Sequence, residues 1–178
     1  AIWAGTNKSS ECTLILTEGD SAKSMAIAGL SVVGREKYGV FPLKGKILNV
    51  LDTNDSKIAA NEEITNLKKI IGLETSKKYK DVKPLRYGKI MVMTDQDVDG
   101  SHIKGLLFNL FNSMWPSLIQ INGFMNSMLT PIIKAKNNKN IHEFYNLTDY
   151  ENWKKKNNGK KCEIKYYKGL GTSTEKEA

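Results

Sequence analysis

Two stretches of the chain share one pattern: an apolar, β-branched run stops abruptly at acidic residues, and a segment with helical spacing follows. Cys12-Thr13-Leu14-Ile15-Leu16-Thr17 ends at Glu18-Gly19-Asp20. A run of that length and make-up predicts a buried strand, with a helix after it over residues 21–30. Lys89-Ile90-Met91-Val92-Met93-Thr94 likewise runs into Asp95-Gln96-Asp97-Val98-Asp99-Gly100, and a helix is predicted over residues 101–115. On that helix Ile103, Leu106, Leu107, Leu110, Phe111 and Met114 recur on one face, which predicts a core-facing stripe. Pro116 helps to end it.

Between these units, residues 33–56 read as a loop-rich insertion. A helix is predicted over 61–71, where Ile64, Leu67, Lys68 and Ile71 share a face. Later strand candidates are 130–134, 142–145 and 162–167. Thr148-Asp149-Tyr150-Glu151 has the form of a capping box opening a short helix to residue 156. No repeat of fixed period is visible. Strand, acidic turn and helix, twice over, predict an α/β fold on a small parallel sheet flanked by helices, with a small α+β extension.

Length and composition narrow the class. A chain of 178 residues suits one well-cored domain. With 40% hydrophobic and 26% charged residues it has an ordinary soluble make-up. The apolar runs are strand-sized and bounded by charge, so no membrane span is expected. No basic-then-apolar leader opens the chain, and residues 1–5 and 175–178 read as edges of an excised piece.

Lys and Arg outnumber Asp and Glu by 27 to 19, a net +8. That favours a polyanionic partner, nucleic acid before others, over a merely solubilising Lys-rich surface. Part of the excess lies in two Asn/Lys-rich stretches, 134–140 and 154–161, which read as solvated loops. Cys12 and Cys162 have no metal-ligand spacing and are expected to be reduced. Trp3, Trp115 and Trp153 are scattered and read as packing residues rather than a base-stacking platform.

The acidic turns carry the chemistry. Open α/β sheets bind ligands at the carboxyl ends of their strands. One turn there offers Glu18 and Asp20, the other Asp95, Asp97 and Asp99. Two unit charges about 4 Å apart repel by roughly 4 kcal/mol at an effective dielectric near 20, so such a cluster calls for a cation or for protonation. Hard oxygen ligands with few neutral donors suit magnesium, which takes further ligands from water and phosphate. In an extended D-x-D-x-D run alternate side chains point the same way, so the three aspartates are expected to converge.

Three other readings compete. Asp95 to Gly100 opens like an EF-hand loop, but the twelfth position is Leu106 rather than a bidentate Glu, and a strand rather than a helix precedes it. A phosphotransferase of the haloacid-dehalogenase type would use Asp95 as nucleophile and Asp97 as acid, but leaves Glu18-Gly19-Asp20-Ser21 without a purpose. A purely structural acidic turn, with Asp99 or Ser101 capping the helix, needs no metal. Beyond these, Lys44-Gly45-Lys46 and Lys168-Gly169-Leu170-Gly171 are glycine-bearing basic loops able to approach a phosphate, although such loops are usually just solvated. His102 suits a cap or core role at least as well as a functional one.

Four motifs in order resemble the TOPRIM domain of eukaryotic-type DNA topoisomerase II: Glu18-Gly19-Asp20-Ser21-Ala22, Pro42-Leu43-Lys44-Gly45-Lys46-Ile47-Leu48-Asn49-Val50, Asp95-Gln96-Asp97-Val98-Asp99-Gly100-Ser101-His102 and Tyr167-Lys168-Gly169-Leu170-Gly171. The resemblance runs from about residue 11 to the end. Lys23, Gly39-Val40-Phe41 and Gly171-Thr172-Ser173-Thr174 resemble the eukaryotic enzyme rather than bacterial gyrase.

The resemblance implies a Rossmann-like TOPRIM fold over residues 1–165, with 166–178 beginning the connection to a winged-helix domain. It implies that Glu18 and Asp95 hold the Mg²⁺ nearest the scissile phosphate, that Asp97 helps to hold a second ion, and that Asp99 supports the site. Glu18, Asp95 and Asp97 are then the catalytic set, and Mn²⁺ or Ca²⁺ can substitute in binding. Lys44, Gly45, Lys46 and Lys168 are implied DNA contacts, and Asp20, Lys44 and Gly45 border the pocket of family poisons. The family usually has Arg at the position of Lys44, and lysine keeps the charge without the bidentate fork.

The implied enzyme is an ATP-dependent, nuclear, homodimeric isomerase acting on double-stranded DNA, with its ATPase and its tyrosine nucleophile on other domains. The alternatives are a freestanding metal-dependent nuclease or primase-like protein, and a DNA-binding module whose acidic turn is only structural.

Overall fold

The computed structural model describes residues 1–137, 140–157, 162–173 and 177. The remainder of the two Asn/Lys-rich stretches, and most of the last five residues, lie outside the described residues. Four parallel strands form the main sheet: β1 (Thr13–Glu18), β2 (Tyr38–Leu43), β3 (Lys89–Met93) and β4 (Met125–Ser127), in the order β2-β1-β3-β4.

β1 is central because it can be buried on both faces, and its residues 13–17 are all buried. Alternate side chains divide between two cores. Leu14 and Leu16 join Ile90 and Val92 on one face, against Ile64, Leu67 and Ile71 of α3 (Glu62–Ile71) and the stripe Ile103, Leu106, Leu107, Leu110 and Phe111 of α4 (Val98–Met114). Ile15 and Met93 pack on the other face with Ala22 and Ala26 of α1 (Gly19–Val33). The small alanines let α1 lie close to the sheet.

Several boundaries differ from the sequence expectation, each for a local reason. β2 lies inside the segment read as loop-rich. Tyr-Gly-Val-Phe-Pro-Leu carries a Gly and a Pro and gives little strand signal, yet β2 pairs with β1 over six positions, from Thr13↔Tyr38 to Glu18↔Leu43. Pro42 is tolerated because β2 is an edge strand. A short helix α2 (Asp55–Ala60), capped by the Asn54 side chain, begins at the end of that segment. The four-residue helix α5 (Pro116–Ile119) and the three-residue β4 had no periodicity to declare them.

Residues 133–166 build a second, antiparallel sheet in the order β6-β5-β7, from β5 (Ile133–Lys136), β6 (Ile141–Phe144) and β7 (Glu163–Tyr166). α6 (Leu147–Lys156) covers it, with Tyr150 and Trp153 against Phe144. Its cap is Asn146 rather than Thr148: the Asn146 side chain accepts from the Asp149 N–H at 2.8 Å and donates to the Asp149 carboxylate at 2.7 Å. Asn caps at least as well as Thr, so the helix starts two residues earlier. Trp115 is buried, as a packing role requires, and its indole N–H donates to the Glu74 carbonyl. Among the described residues, no helix is long and apolar enough to cross a membrane.

Candidate functional site: an acidic sheet edge between basic loops

Parallel pairing carries the ends of β1 and β3 to the same edge. Thr17 lies opposite Met93, so Glu18 and the 94–97 turn leave the sheet side by side. Glu18 is half-buried at this edge. Its carboxyl is pushed above the ordinary glutamate range, first by burial and then by the charges of Asp97, Asp95 and Asp99, with Lys46 opposing. All three aspartates therefore act electrostatically on one glutamate, and this is the collective property of the site.

Each aspartate is also held by a donor of its own. Asp95, half-buried, accepts the Leu170 N–H on Oδ1 at 2.8 Å. Asp97 is the cap of α4, its Oδ1 accepting the Gly100 N–H at 2.7 Å. Asp99 pairs with Lys46, Nζ to Oδ1 at 3.0 Å.

This corrects two expectations. The cap is Asp97, not Asp99 or Ser101. The run is not extended throughout either: α4 begins at Val98, which turns Asp99 into the first helical turn and ends the alternation that would have made three side chains converge. As they stand among the described residues, no three acidic, histidine or cysteine groups are close enough to hold a metal ion. The chemistry of the donor set nevertheless fits a hard divalent cation, because four carboxylates load one edge, where Lys46 opposes their charge. Thr17 Oγ1 and Gln96 Nε2, both at this edge, are buried without a hydrogen-bond partner.

The basic loops flank this edge. Lys44, Gly45 and Lys46 follow β2 and are exposed. The Lys44 N–H donates to Glu63 Oε1 at 3.0 Å, which ties the loop to α3. Gly45 takes a left-handed φ of 77° with open space where a side chain would sit, so its backbone is accessible. Lys168 is exposed at the end of β7, and Asp20 is exposed in the first turn of α1. His102 is exposed on α4, not in the core.

Sequence reasoning missed the part played by Leu170. Its N–H reaches Asp95 across 75 residues, and a backbone donor leaves no signal in side-chain spacing. Gly169, read only as a loop glycine, has its α-carbon so near Asp95 that a β-carbon there would stand 2.8 Å from Oδ2.

Comparison with known proteins places this geometry in context. Residues 13–128 match the model of the Toprim domain, and 128–178 match that of the C-terminal associated domain of TOPRIM. The chain is 59% identical over 179 residues to DNA topoisomerase 2-alpha of Rattus norvegicus, covering 98% of this chain and 12% of that protein. It is 57% identical to DNA topoisomerase 2 of Pisum sativum, with the same coverage. Among solved structures it resembles the Plasmodium falciparum topoisomerase II DNA-binding, cleavage and re-ligation domain, with a TM-score of 0.94 and 54% identity, over 99% of this chain and 24% of that one. The chain thus spans about an eighth of the length of these curated relatives.

Proposed function

Since this chain belongs to the Toprim family, we propose that it is the metal-binding part of a type II DNA topoisomerase of the eukaryotic kind, serving transient double-strand cleavage and religation. The observation that carries this reading is the grouping of Glu18 with Asp95, Asp97 and Asp99 at one sheet edge, beside the cationic 44–46 loop.

Glu18 and Asp95 would hold the Mg²⁺ nearest the scissile phosphate. Asp97 would help with a second ion, and Asp99 would support them. When bound, the metal supplies Lewis-acid stabilisation and a template for in-line transesterification. The residues of the chain do the rest. Asp95, already fixed by Leu170, offers Oδ2. Asp97 and Asp99 would exchange a cap and an ion pair for the cation, and Lys46, once released from Asp99, would be free for a DNA phosphate. Lys44, the exposed Gly45 backbone and Lys168 add phosphate contacts, and Asp20 with Lys44 and Gly45 borders the pocket for family poisons. The net charge of +8 suits a salt-dependent DNA contact.

The remaining steps belong to other parts of the enzyme. In this reading the tyrosine nucleophile sits on a winged-helix domain reached beyond residue 166, and a separate domain uses ATP. The whole works as a nuclear homodimer, and the isolated chain does not relax DNA.

The test is calorimetric titration of Mn²⁺ into the wild-type chain and Glu18→Ala, with and without a nicked duplex. Binding that tightens with DNA in the wild type, and loses that coupling in the variant, is the expected result. Metal binding indifferent to both DNA and Glu18 would overturn the proposal.

A further inference from the structure

We propose that the 169–171 turn is the positioning element for the Asp95 carboxylate, so that the end of the second sheet sets the aim of a metal ligand in the first. The inference rests on the reading that the acidic edge holds a divalent cation, and it concerns residues to which that reading gives no such part.

Two neighbours fix the carboxylate and a third fixes its main chain. Oδ1 accepts the Leu170 N–H at 2.8 Å. Alongside, the Gly169 backbone lies so close that a β-carbon there would meet Oδ2 at 2.8 Å, Cγ at 3.0 Å and Oδ1 at 3.1 Å. Gly169 has an extended backbone, φ −169° and ψ 174°, which any residue can adopt. Glycine is therefore needed for space rather than for conformation. From behind, α4 packs onto the Asp95 main chain, where a β-carbon on Gly100 would lie 2.0 Å from the Asp95 carbonyl oxygen.

The donor is itself anchored. The Leu170 side chain is 3% exposed and packs with Ile15, Ala22, Ala26 and Met93 on the α1 face of the main sheet. Gly171 comes near enough to α1 that a β-carbon would stand 3.1 Å from Ser21 Oγ. The turn is thus plugged into the first sheet's core, while β7, just before it, belongs to the second sheet. With Oδ1 engaged by the Leu170 N–H, Oδ2 is the oxygen left for a cation. A ligand already aimed loses less rotational freedom on binding, and outer-shell donors to metal ligands typically account for 10- to 100-fold in affinity.

The backbone permits a discriminating pair of variants. Leu170 opens a short 3-10 turn, a position that accepts proline, and the extended Gly169 before it avoids the α region that a following proline disfavours. Leu170→Pro therefore removes the N–H. Leu170→Ala removes the packing and keeps the N–H. Gly169→Ala leaves Leu170 untouched and pushes a methyl group against the carboxylate.

Mn²⁺ affinity in the presence of nicked duplex and metal-free melting temperature are measured for the wild type and all three. Leu170→Pro and Gly169→Ala are expected to bind Mn²⁺ about tenfold or more weakly than Leu170→Ala, whatever their order in stability. In addition, the Leu170 amide proton resonance of the wild-type chain is expected to shift when Asp95→Asn is introduced. If Gly169→Ala binds Mn²⁺ as the wild type does, or the Leu170 resonance does not move, the positioning role is refuted while the metal reading stands. If the wild type takes up no Mn²⁺, both are refuted together.

Discussion

Lys46 Nζ stands 3.0 Å from Asp99 Oδ1, joining the loop after β2 to the first turn of α4. Both side chains are more than half exposed, at 55% and 68%, and pairs of that kind contribute about 1 kcal/mol or less to stability. Lys46→Ala should therefore leave urea denaturation within about 0.5 kcal/mol of the wild type. DNA affinity should fall, and the slope of log K against log salt should shrink by about one phosphate contact. A variant that lost stability and kept its salt slope would make Lys46 a structural residue.

Asp97 has an observed role as a cap and a proposed one as a metal ligand, and the two can be separated. As the cap of α4 it accepts the Gly100 N–H, and Asn caps about as well as Asp. Asp97→Asn should thus keep the melting temperature in chelator but weaken Mn²⁺ uptake. Asp97→Ala should weaken uptake and also cost about 1 kcal/mol of stability. Equal metal binding by Asp97→Asn and wild type would leave Asp97 a cap and nothing more.

Glu18 gives a pH signature. Burial, then Asp97, Asp95 and Asp99, raise its carboxyl above the ordinary glutamate value. An acid whose folded pKa exceeds its unfolded pKa binds its proton more tightly when folded. Stability accordingly falls as pH rises from the ordinary value through the raised one. Glu18→Gln removes that loss. In chelator it should melt higher than wild type above this window, and the two curves should draw together below it. Added Mn²⁺ should raise the wild-type melting temperature and leave the variant's unchanged. Calorimetric scans across that range decide both points.

Gly100 sits where α4 meets the turn from β3. A β-carbon there would lie 2.0 Å from the Asp95 carbonyl oxygen, and that neighbour is backbone that cannot swing aside. Gly100→Ala should cost about 1–3 kcal/mol and displace Asp95 with it. Chemical denaturation paired with Mn²⁺ titration should show both losses, whereas unaltered metal binding would mean that the turn relaxes without moving the carboxylate.

What the sequence revealed and what it hid follow from the range of the interactions involved. Leu14, Leu16, Ile90 and Val92 announced two buried strands, because burial on both faces demands an uninterrupted apolar run. The acidic turns after them were legible for the same reason, since a sheet's carboxyl edge is where such residues gather. β2 was not, as Gly39 and Pro42 argue against a strand and only pairing with β1 overrides them. The helical state of Asp99 was also hidden, because Asp97 and Asp99 are both good helix-start residues and only the hydrogen bond to Gly100 decides between them. The Leu170 contact with Asp95 was beyond any local pattern.

That contact has a consequence for how the protein is made. The four strands of the main sheet are complete once residue 127 has left the ribosome, and residues so far along can pair as soon as they emerge. The amide that holds Asp95 arrives later, 75 residues after its partner. Until that amide and the buried Leu170 side chain have been made, neither the Asp95 contact nor the core on the α1 face of the main sheet can be complete.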